Sequence, residues 1–272
     1  MKEFAHADSA TVRASIRRGE WDRPTTGLCL GYLQANMAIL PRALSADFRA
    51  FCERNPRPTP LIEVLDPGDP VPHAVAPGAD VRTDLPRYRV YRHGEMAAEP
   101  TDITELWRED LVTFLLGCSF TAEAKLLEAG VRLRHMELGQ SVPMFKTSIA
   151  TEPAGPFHGP TVVSMRPIRR DPLGLARRVT ADYPLAHGDP IHAGDPRQIG
   201  IADVMRPDWG DAIEVRDDEV ATFWACGVTP QAVIMAARPD FAITHAPGHM
   251  FITDVRDREI RGREPALAGA AT

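Results

Sequence analysis

The sequence has few cysteines and lacks several patterns that would assign a class at once. Its four cysteines, Cys29, Cys52, Cys118 and Cys226, are scattered among 272 residues without a C-x-x-C pair. Disulfide frameworks use closely spaced cysteines, so we expect free thiols in a reducing compartment. No apolar run approaches the roughly 18 residues of a membrane span, and the opening MKEFAHADSA has no secretory apolar stretch. These absences predict a cytoplasmic protein with no membrane partner.

The charge balance is mildly acidic. Lys and Arg number 31 against 37 Asp and Glu, which gives a formal net charge of −6. Binding to nucleic acid depends on neutralising phosphates with Lys and Arg, so we expect no nucleic-acid partner. Hydrophobic residues make up 44% and charged residues 25%, which is typical of a globular protein. The 25 prolines predict short elements and many rigid turns.

Apolar patterning predicts a mixture of helices and strands. No repeat of 20 to 50 residues is visible, which argues against solenoids and propellers. The strand–helix–strand order near the C-terminus favours a parallel pair, and 66–86 is expected to be a loop. We predict helices at 9–19, 45–55, 102–117, 121–130, 171–183 and 230–238, and strands at 61–65, 87–93, 131–138, 144–150, 161–168, 220–226, 241–244 and 250–255.

A change of character after residue 124 predicts an insertion. Three strand-like runs and one helix follow each other within 125–185, which is typical of a compact α+β unit. We therefore expect an α/β protein whose main domain is built from 1–124 plus 186–272. The inserted α+β subdomain is expected at 125–185.

The segment GCSF at 117–120 is the first candidate for chemistry. It places Cys118 and Ser119 between two predicted helices. A thiol and a hydroxyl near a helix N-terminus suit anion binding or an activated nucleophile. A buried cysteine beside an ordinary helix cap is the alternative.

The segment HGDPIHAGDP at 187–196 is the second candidate. Two Gly-Asp-Pro units make a rigid loop that contains His187, His192 and Asp195. Substrate contact or metal ligation would use such groups. Two Asx-type turns with solvated histidines are the alternative.

The segment WACGVTPQ at 224–231 is the third candidate. An apolar strand runs into Cys226 and Gly227, and Thr229 opens a helix. Backbone N–H groups at such a junction can hold a carboxylate or a developing oxyanion. The segment is neither G-x-G-x-x-G nor a P-loop, so no nucleotide cofactor is expected.

The segment ITHAPGHMFITD at 243–254 is the fourth candidate. His245 and His249 bracket a tight turn, and imidazoles serve as general bases and acids near neutral pH. Zinc is the rival, but H-x₃-H usually lies on a helix, which Pro-Gly prevents here. We therefore expect no cofactor and no metal. Arg166, at the end of an apolar strand, can clamp a carboxylate or form a surface salt bridge.

Together these segments resemble the D-glutamate cyclase family. The matching pieces span most of the chain: PTTGLCLGYLQANMAILP, FCERNPRPTPLIEV, GCSFTAEAKLLEAG, VPMFKTSI, TVVSMRPI, HGDPIHAGDP, IGIADV and FWACGVTPQAVIMAARPDFAITHAPGHMFITDV. The resemblance implies a three-layer αβα domain with a smaller inserted α/β unit. It also implies loss of water from D-glutamate to give 5-oxo-D-proline.

The reaction needs a base and an acid, and the histidines can supply both. His245 is the first choice for the base that deprotonates the substrate amine, and His249 or His192 is the candidate acid. In an alternative, Cys118 or Cys226 attacks the γ-carboxyl to give a thioester, which ranks lower because a free carboxylate is a poor acyl donor.

The reaction also needs groups that bind the substrate and stabilise the oxyanion. Arg166 is expected to hold the α-carboxylate, while Ser119 and the backbone from Gly227 to Thr229 stabilise the oxyanion. Asp195 completes the predicted binding residues. The partner is then a small amino-acid or carboxylate substrate, and a homo-oligomer is possible. A metal-dependent hydro-lyase acting on a hydroxy acid and a non-catalytic binder of amino or oxo acids stay open.

Overall fold

The chain was analysed as a computed structural model, which describes residues 4–265. Six helices and eleven strands are found there. The helices are α1 (Ser9–Arg17), α2 (Arg42–Arg54), α3 (Phe120–Glu128), α4 (Arg134–Leu138), α5 (Leu173–Ala181) and α6 (Thr229–Ala237). The strands are β1 (Tyr32–Pro41), β2 (Leu61–Val64), β3 (Tyr88–Arg92), β4 (Glu95–Ala98), β5 (Leu111–Gly117), β6 (Met144–Ala150), β7 (Pro160–Arg169), β8 (His192–Ala193), β9 (Glu219–Ala225), β10 (Ala242–His245) and β11 (Phe251–Arg256).

The strands form two sheets, and every pairing among the described residues is antiparallel. The first sheet has the order β2-β5-β1-β10-β3-β4, and β11 also pairs with β1. The second has the order β6-β7-β9-β8. The predicted parallel pair near the C-terminus is wrong, because α6 connects β9 of the second sheet to β10 of the first.

Two predicted elements have the wrong type. The helix expected at 102–117 is a 3-10 turn at Thr104–Leu106 followed by β5. All seven residues of β5 are buried between β1 and β2, so its apolar run fits a central strand better than a one-faced helix. The strand expected at 131–138 contains α4, which ends at Gly139 with φ 67°. The other predicted helices and strands are confirmed within a few residues.

Mixed α/β architecture is confirmed, whereas the three-layer arrangement stays a prediction. The second sheet draws its strands from β6 to β9 and so extends past residue 185, the expected end of the insertion. The division of the chain into two domains stays a prediction. No helix in the described range 4–265 has the length and apolarity needed to span a bilayer.

The two sheets repeat one local arrangement. In the first sheet, β1 pairs with β5 so that Ala35 lies opposite Gly117. In the second, β7 pairs with β9 so that Val163 lies opposite Ala225. A helix follows β5 and β9, and the sequences across the two junctions correspond: GCSFTAEA at 117–124 and ACGVTPQA at 225–232. The two cysteines therefore occupy equivalent positions.

Hydrogen bonds and a third strand extend the repeat. The Thr121 hydroxyl accepts from the N–H of Gln34 at 3.0 Å, and the Thr229 hydroxyl accepts from the N–H of Val162 at 3.0 Å. Each half also ends in a Met-Phe-x-Thr strand, MFKT in β6 and MFIT in β11. The strand β6 pairs with β7, and β11 pairs with β1. The strand β6, which closes the first half of the repeat, therefore joins the sheet that contains β7, the first strand of the second half. In the same way β11, which closes the second half, joins the sheet that contains β1, the first strand of the first half.

Candidate active site

The two cysteine turns meet at one apolar cluster. Cys118 lies between β5 and α3, and Cys226 lies between β9 and α6. Burial raises the pKa of the Cys118 thiol far above its usual range and that of Cys226 to about 11. The helix N-termini beside these thiols are positively polarised, yet burial dominates and both side chains stay thiols at neutral pH. The cluster consists of Cys118, Phe120, Val142, Met144, Val162, Cys226, Val228, Ala232 and Met250.

Arg166 lies beside this cluster and is 2% exposed. Its Nη2 donates to Oε1 of Glu123 at 2.6 Å and to the Ser119 hydroxyl at 3.1 Å. Its Nη1 donates to the Ser164 hydroxyl at 3.1 Å, and the guanidinium lies 5.5 Å from the ring centroid of Trp224. A surface salt bridge is therefore the wrong alternative for Arg166. The carboxylate that it clamps in this structure belongs to the protein.

Glu123 is the buried anion of this group. Its Oε1 accepts from Nε and Nη2 of Arg166 and is 2.9 Å from Nε2 of His135. Burial favours the neutral acid, but His135 and Arg166 outweigh it and lower the pKa of Glu123. Its Oε2 is buried without a hydrogen-bond partner. Such an orphan costs about 1–3 kcal/mol, so its retention needs a reason.

His187 is a second buried group with an orphan atom. Its Nδ1 donates to the carbonyl of Arg57 at 2.6 Å, which leaves the lone pair on Nε2, and Nε2 is buried without a partner. Burial, and then the charge of Arg166, lower the pKa of His187 to about 4. The residue has φ +74°, a left-handed conformation that is uncommon outside glycine. Strain of this kind is concentrated at functional sites.

A glycine brings the His187 turn against the Cys118 turn. A Cβ at Gly117 would overlap the carbonyl of Leu185, so the 3-10 turn Pro184–Ala186 packs directly on the end of β5. The charge of Arg166 also contributes to lowering the pKa of His187 and opposes the rise for both thiols. The charge of Arg166 therefore acts on the two cysteines and on His187. A neutral imidazole thus lies on a turn that packs against the junction leading to the Arg166–Glu123 pair, and all three side chains are buried.

His245 is buried and has both ring nitrogens engaged. Its Nδ1 lies 3.2 Å from the carbonyl of Met37, and its Nε2 lies 3.3 Å from the amide nitrogen of Gln231. That amide also donates to the His245 carbonyl at 2.8 Å. Burial lowers the pKa of His245 to about 4. The ring therefore ties β10 to the first turn of α6, without a free lone pair for a substrate.

His249 is half-buried at the end of the turn before β11. Its Nδ1 donates to the carbonyl of Pro247 at 2.9 Å, and burial lowers its pKa. It precedes Met250, a member of the cysteine cluster. The charged side chains that shift its pKa are Arg87 and Glu99.

The α6 side of the cluster is tightly packed. A Cβ at Gly227 would overlap the side chain of Asn36, whose Nδ2 donates to the carbonyl of Gly117 at 2.5 Å. The Thr229 hydroxyl bonds the carbonyl of Cys226 at 2.7 Å and does not cap the helix. Asn36 thus links the two cysteine turns directly. The backbone at Gly227 is close to the α3 junction, as the oxyanion prediction requires.

His192 and Asp195 lie away from the group around Arg166. Nε2 of His192 is 2.9 Å from the Asp195 carbonyl, and its ring lies 5.8 Å from that of Phe223. The Asp195 carboxylate pairs with Arg197. Successive residues of β9 face opposite sides, so Phe223 and Trp224 lie on different faces of the second sheet. Because Trp224 lies on the Arg166 side, His192 does not join the group around Arg166.

Sequence reasoning did not select Glu123, His135 or His187 as site residues. His187 stood in a segment that was singled out, but nothing local distinguished it from His192. Glu123 reads as an ordinary first-turn acid of a helix. Glu123 lies on α3 and Arg166 on β7, so only the tertiary structure shows that they meet across 43 residues of chain.

The described part of the chain contains no cluster of three or more His, Cys, Asp or Glu side chains arranged to hold a metal ion.

Comparisons with known proteins agree on one family. A family model described as D-glutamate cyclase matches residues 112–254, a range that contains Cys118, Glu123, Arg166, His187 and Cys226. Among solved structures, a nitrogen repressor-like protein from Methanococcus jannaschii matches 89% of this chain with a TM-score of 0.40 and 11% identity, too distant to bear on function.

Three bacterial relatives match nearly the whole chain. A protein of Stutzerimonas stutzeri named "Putative hydro-lyase" is 57% identical over 251 residues, which are 92% of this chain and 95% of the relative. Relatives of the same description from Bordetella petrii and Geobacillus kaustophilus are 56% and 53% identical. They cover 90% and 94% of this chain, and 92% and 97% of their own lengths.

Proposed function

The chain belongs to the D-glutamate cyclase family, and on that basis we propose that it is a hydro-lyase that converts D-glutamate to 5-oxo-D-proline. In this reaction the α-amine nitrogen forms a bond to the γ-carboxyl carbon, and one carbon–oxygen bond of that carboxyl breaks. The oxygen leaves as water with protons that the amine releases. No oxidant or reductant is required.

The observation that carries the proposal is the orphan Nε2 of His187, on a turn that packs on Gly117, two residues before the Ser119 hydroxyl that Arg166 contacts. A base must be neutral to accept a proton, and burial keeps His187 neutral at neutral pH. The negative charge that develops on the γ-carboxyl oxygens needs a fixed positive neighbour in a dry site. Arg166 meets that need together with the hydroxyl of Ser119, to which it is bonded.

The proposed sequence of steps uses one imidazole twice. Nε2 of His187 takes a proton from the substrate ammonium, and the freed amine attacks the γ-carboxyl carbon. Arg166 and the N-terminus of α3 stabilise the tetrahedral oxyanion. His187 then returns this proton to the departing oxygen and transfers a second proton to it from the attacking nitrogen, so the oxygen leaves as water. This assignment replaces His245 as the base, because both ring nitrogens of His245 are occupied.

Charge complementarity supports a substrate with two carboxylates and one ammonium. The buried Arg166 and Glu123 cancel each other, so they leave the site neutral. The N-termini of α3 and α6 each carry roughly half a positive charge and approach one cluster. Together they balance the single net negative charge of glutamate. Direct closure is also favoured over a thioester, because burial keeps both cysteines as thiols.

The deciding experiment is NMR of the purified protein with D-glutamate, L-glutamate and both enantiomers of 5-oxoproline. We expect D-glutamate and 5-oxo-D-proline to interconvert and the L-enantiomers to persist. Binding of D-glutamate without turnover would instead identify a non-catalytic binder. Turnover that is lost on chelation and restored by a metal would identify a metal-dependent hydro-lyase.

A matched pair of histidine variants tests the base. His187→Gln removes the Nε2 lone pair, and we expect kcat to fall by roughly 10²–10⁴-fold, the usual contribution of a general base. His73→Gln changes a histidine whose side chain is 69% exposed and should leave kcat unchanged. Full activity of His187→Gln would refute the assignment.

A further inference from the structure

The internal repeat places two acid-derived side chains at equivalent positions. Glu123 is the fifth residue after Cys118, and Gln231 is the fifth residue after Cys226. Both lie in the first turn of the helix that follows the cysteine, and both are at most 1% exposed. Each contacts a histidine from the next segment of its half, His135 for Glu123 and His245 for Gln231. The two positions can therefore be compared atom by atom.

The polar atoms of Gln231 are all used. Its Oε1 accepts from the Tyr91 hydroxyl at 3.4 Å. Its Nε2 donates to the carbonyl of His245 at 2.8 Å and contacts the His245 ring at 3.3 Å. This half of the repeat is a closed structural network.

The equivalent position in the first half is open. Oε1 of Glu123 receives all the hydrogen bonds that Arg166 and His135 make to this carboxylate, while Oε2 is buried and has no partner. A buried carboxylate that neutralises Arg166 and leaves one oxygen unused therefore stands where the other half has an amide. It suits a site that leaves one acceptor for a cationic ligand group.

We propose that Oε2 of Glu123 receives the ammonium group of the substrate and thereby selects amino acids over carboxylic acids that lack an amine. The inference rests on the proposed function, because it concerns the same site. Arg166 contacts both Glu123 and Ser119, and the turn that carries His187 packs on Gly117 of the same junction. Glu123 is thus a specificity-determining residue that orients the amine before His187 takes its proton.

Calorimetric binding to two ligands tests this role. D-glutamate and glutarate carry the same two carboxylates, and only D-glutamate has an amine. We expect the wild-type protein to bind D-glutamate at least tenfold more tightly than glutarate. Comparable affinity for the two ligands would overturn the inference without any variant.

Variants on one helix sharpen the test. Glu123→Gln keeps an acceptor for Arg166 and His135 but turns an amide N–H₂ toward the ammonium. We expect a loss of at least tenfold in affinity for D-glutamate and less than threefold for glutarate. Glu128→Gln, at an exposed position of α3 with its side chain 64% accessible, should change neither affinity.

Each of the remaining outcomes decides whether Glu123 binds the ammonium group or whether the proposed function is wrong. Equal losses for both ligands would show a structural role for Glu123, and no loss for either would show that Oε2 holds only a water molecule; both overturn the inference. Wild-type binding of D-glutamate without water loss would refute the proposed function while the ligand comparison still decides the role of Glu123. No binding of D-glutamate by the wild-type protein would overturn both.

Discussion

Replacing Arg166 by Met tests the buried ion pair at the centre of the molecule. The side chains of Arg166 and Glu123 are 2% and 1% exposed, and Nη2 lies 2.6 Å from Oε1. Removing one partner of such a pair strands the other charge in the interior, which costs about 3–5 kcal/mol of unfolding free energy. Urea denaturation followed by tryptophan fluorescence measures the loss at pH 7.

The pH dependence of the same variant checks the cause of the loss. In the wild-type protein His135 and Arg166 lower the pKa of Glu123 from 4.5, so Glu123 contributes stability above that pH and loses it as pH falls through the folded pKa. Without Arg166 the carboxyl is protonated more readily. The gap between variant and wild type should therefore be widest near pH 7 and narrow below about pH 4.5.

Two further variants serve as controls. Arg166→Met combined with Glu123→Leu removes both charges but leaves His135 and the hydroxyls of Ser119 and Ser164 without these partners, so it should recover part of the stability that Arg166→Met loses. Arg169→Met, at an exposed position of the same strand, should change stability by less than about 0.5 kcal/mol. A loss below about 1 kcal/mol for Arg166→Met, or one independent of pH, would refute the reasoning.

Three other predictions concern neighbouring groups. Gly117→Ala should destabilise the protein by about 1–3 kcal/mol in urea denaturation, because the added Cβ overlaps the Leu185 carbonyl. Gly174→Ala in α5, whose added Cβ meets only ordinary contacts, should be neutral or stabilising. Equal effects of the two substitutions would contradict the packing at Gly117. His187, whose pKa falls from 6.5 to about 4, binds fewer protons when folded, so its contribution of up to about 3 kcal/mol is lost as pH drops from 6.5 toward 4. His187→Gln should flatten that part of the stability profile, and an unchanged profile would argue against a buried neutral ring. Cys118→Ala and Cys226→Ala should each change kcat by less than roughly tenfold if closure is direct, and a larger loss would favour the thioester route.

The local pattern of apolar residues was sufficient to predict the helices that have one exposed face. The helix capped by Asp8 and the amphipathic α2 were both predictable, because their apolar residues recur at helical spacing. The run DLVTFLLG was not, because β5 is buried on both sides and a fully apolar segment has no period to read. Its true type depends on β1 and β2, which come from other parts of the chain.

The candidate site was predictable only in part, for a similar reason. Cysteine at a strand–helix junction is visible in the sequence, and so is an arginine that ends an apolar strand. The carboxylate that meets the arginine is not visible, since Glu123 and Arg166 are joined by the fold. The choice among histidines likewise depends on which ring nitrogens are already bonded, as the contrast between His187 and His245 shows.

The pairing of β11 with β1 also affects how the chain folds while it is being synthesised. The central strand β1 emerges early from the ribosome, but its register partner for Gln34 is Ile252, near the end of the described chain. At about 5–20 residues per second, β1 waits on the order of tens of seconds for that neighbour. A truncated nascent chain therefore exposes an unpaired hydrophobic edge, and chaperone demand should fall sharply once β11 is released.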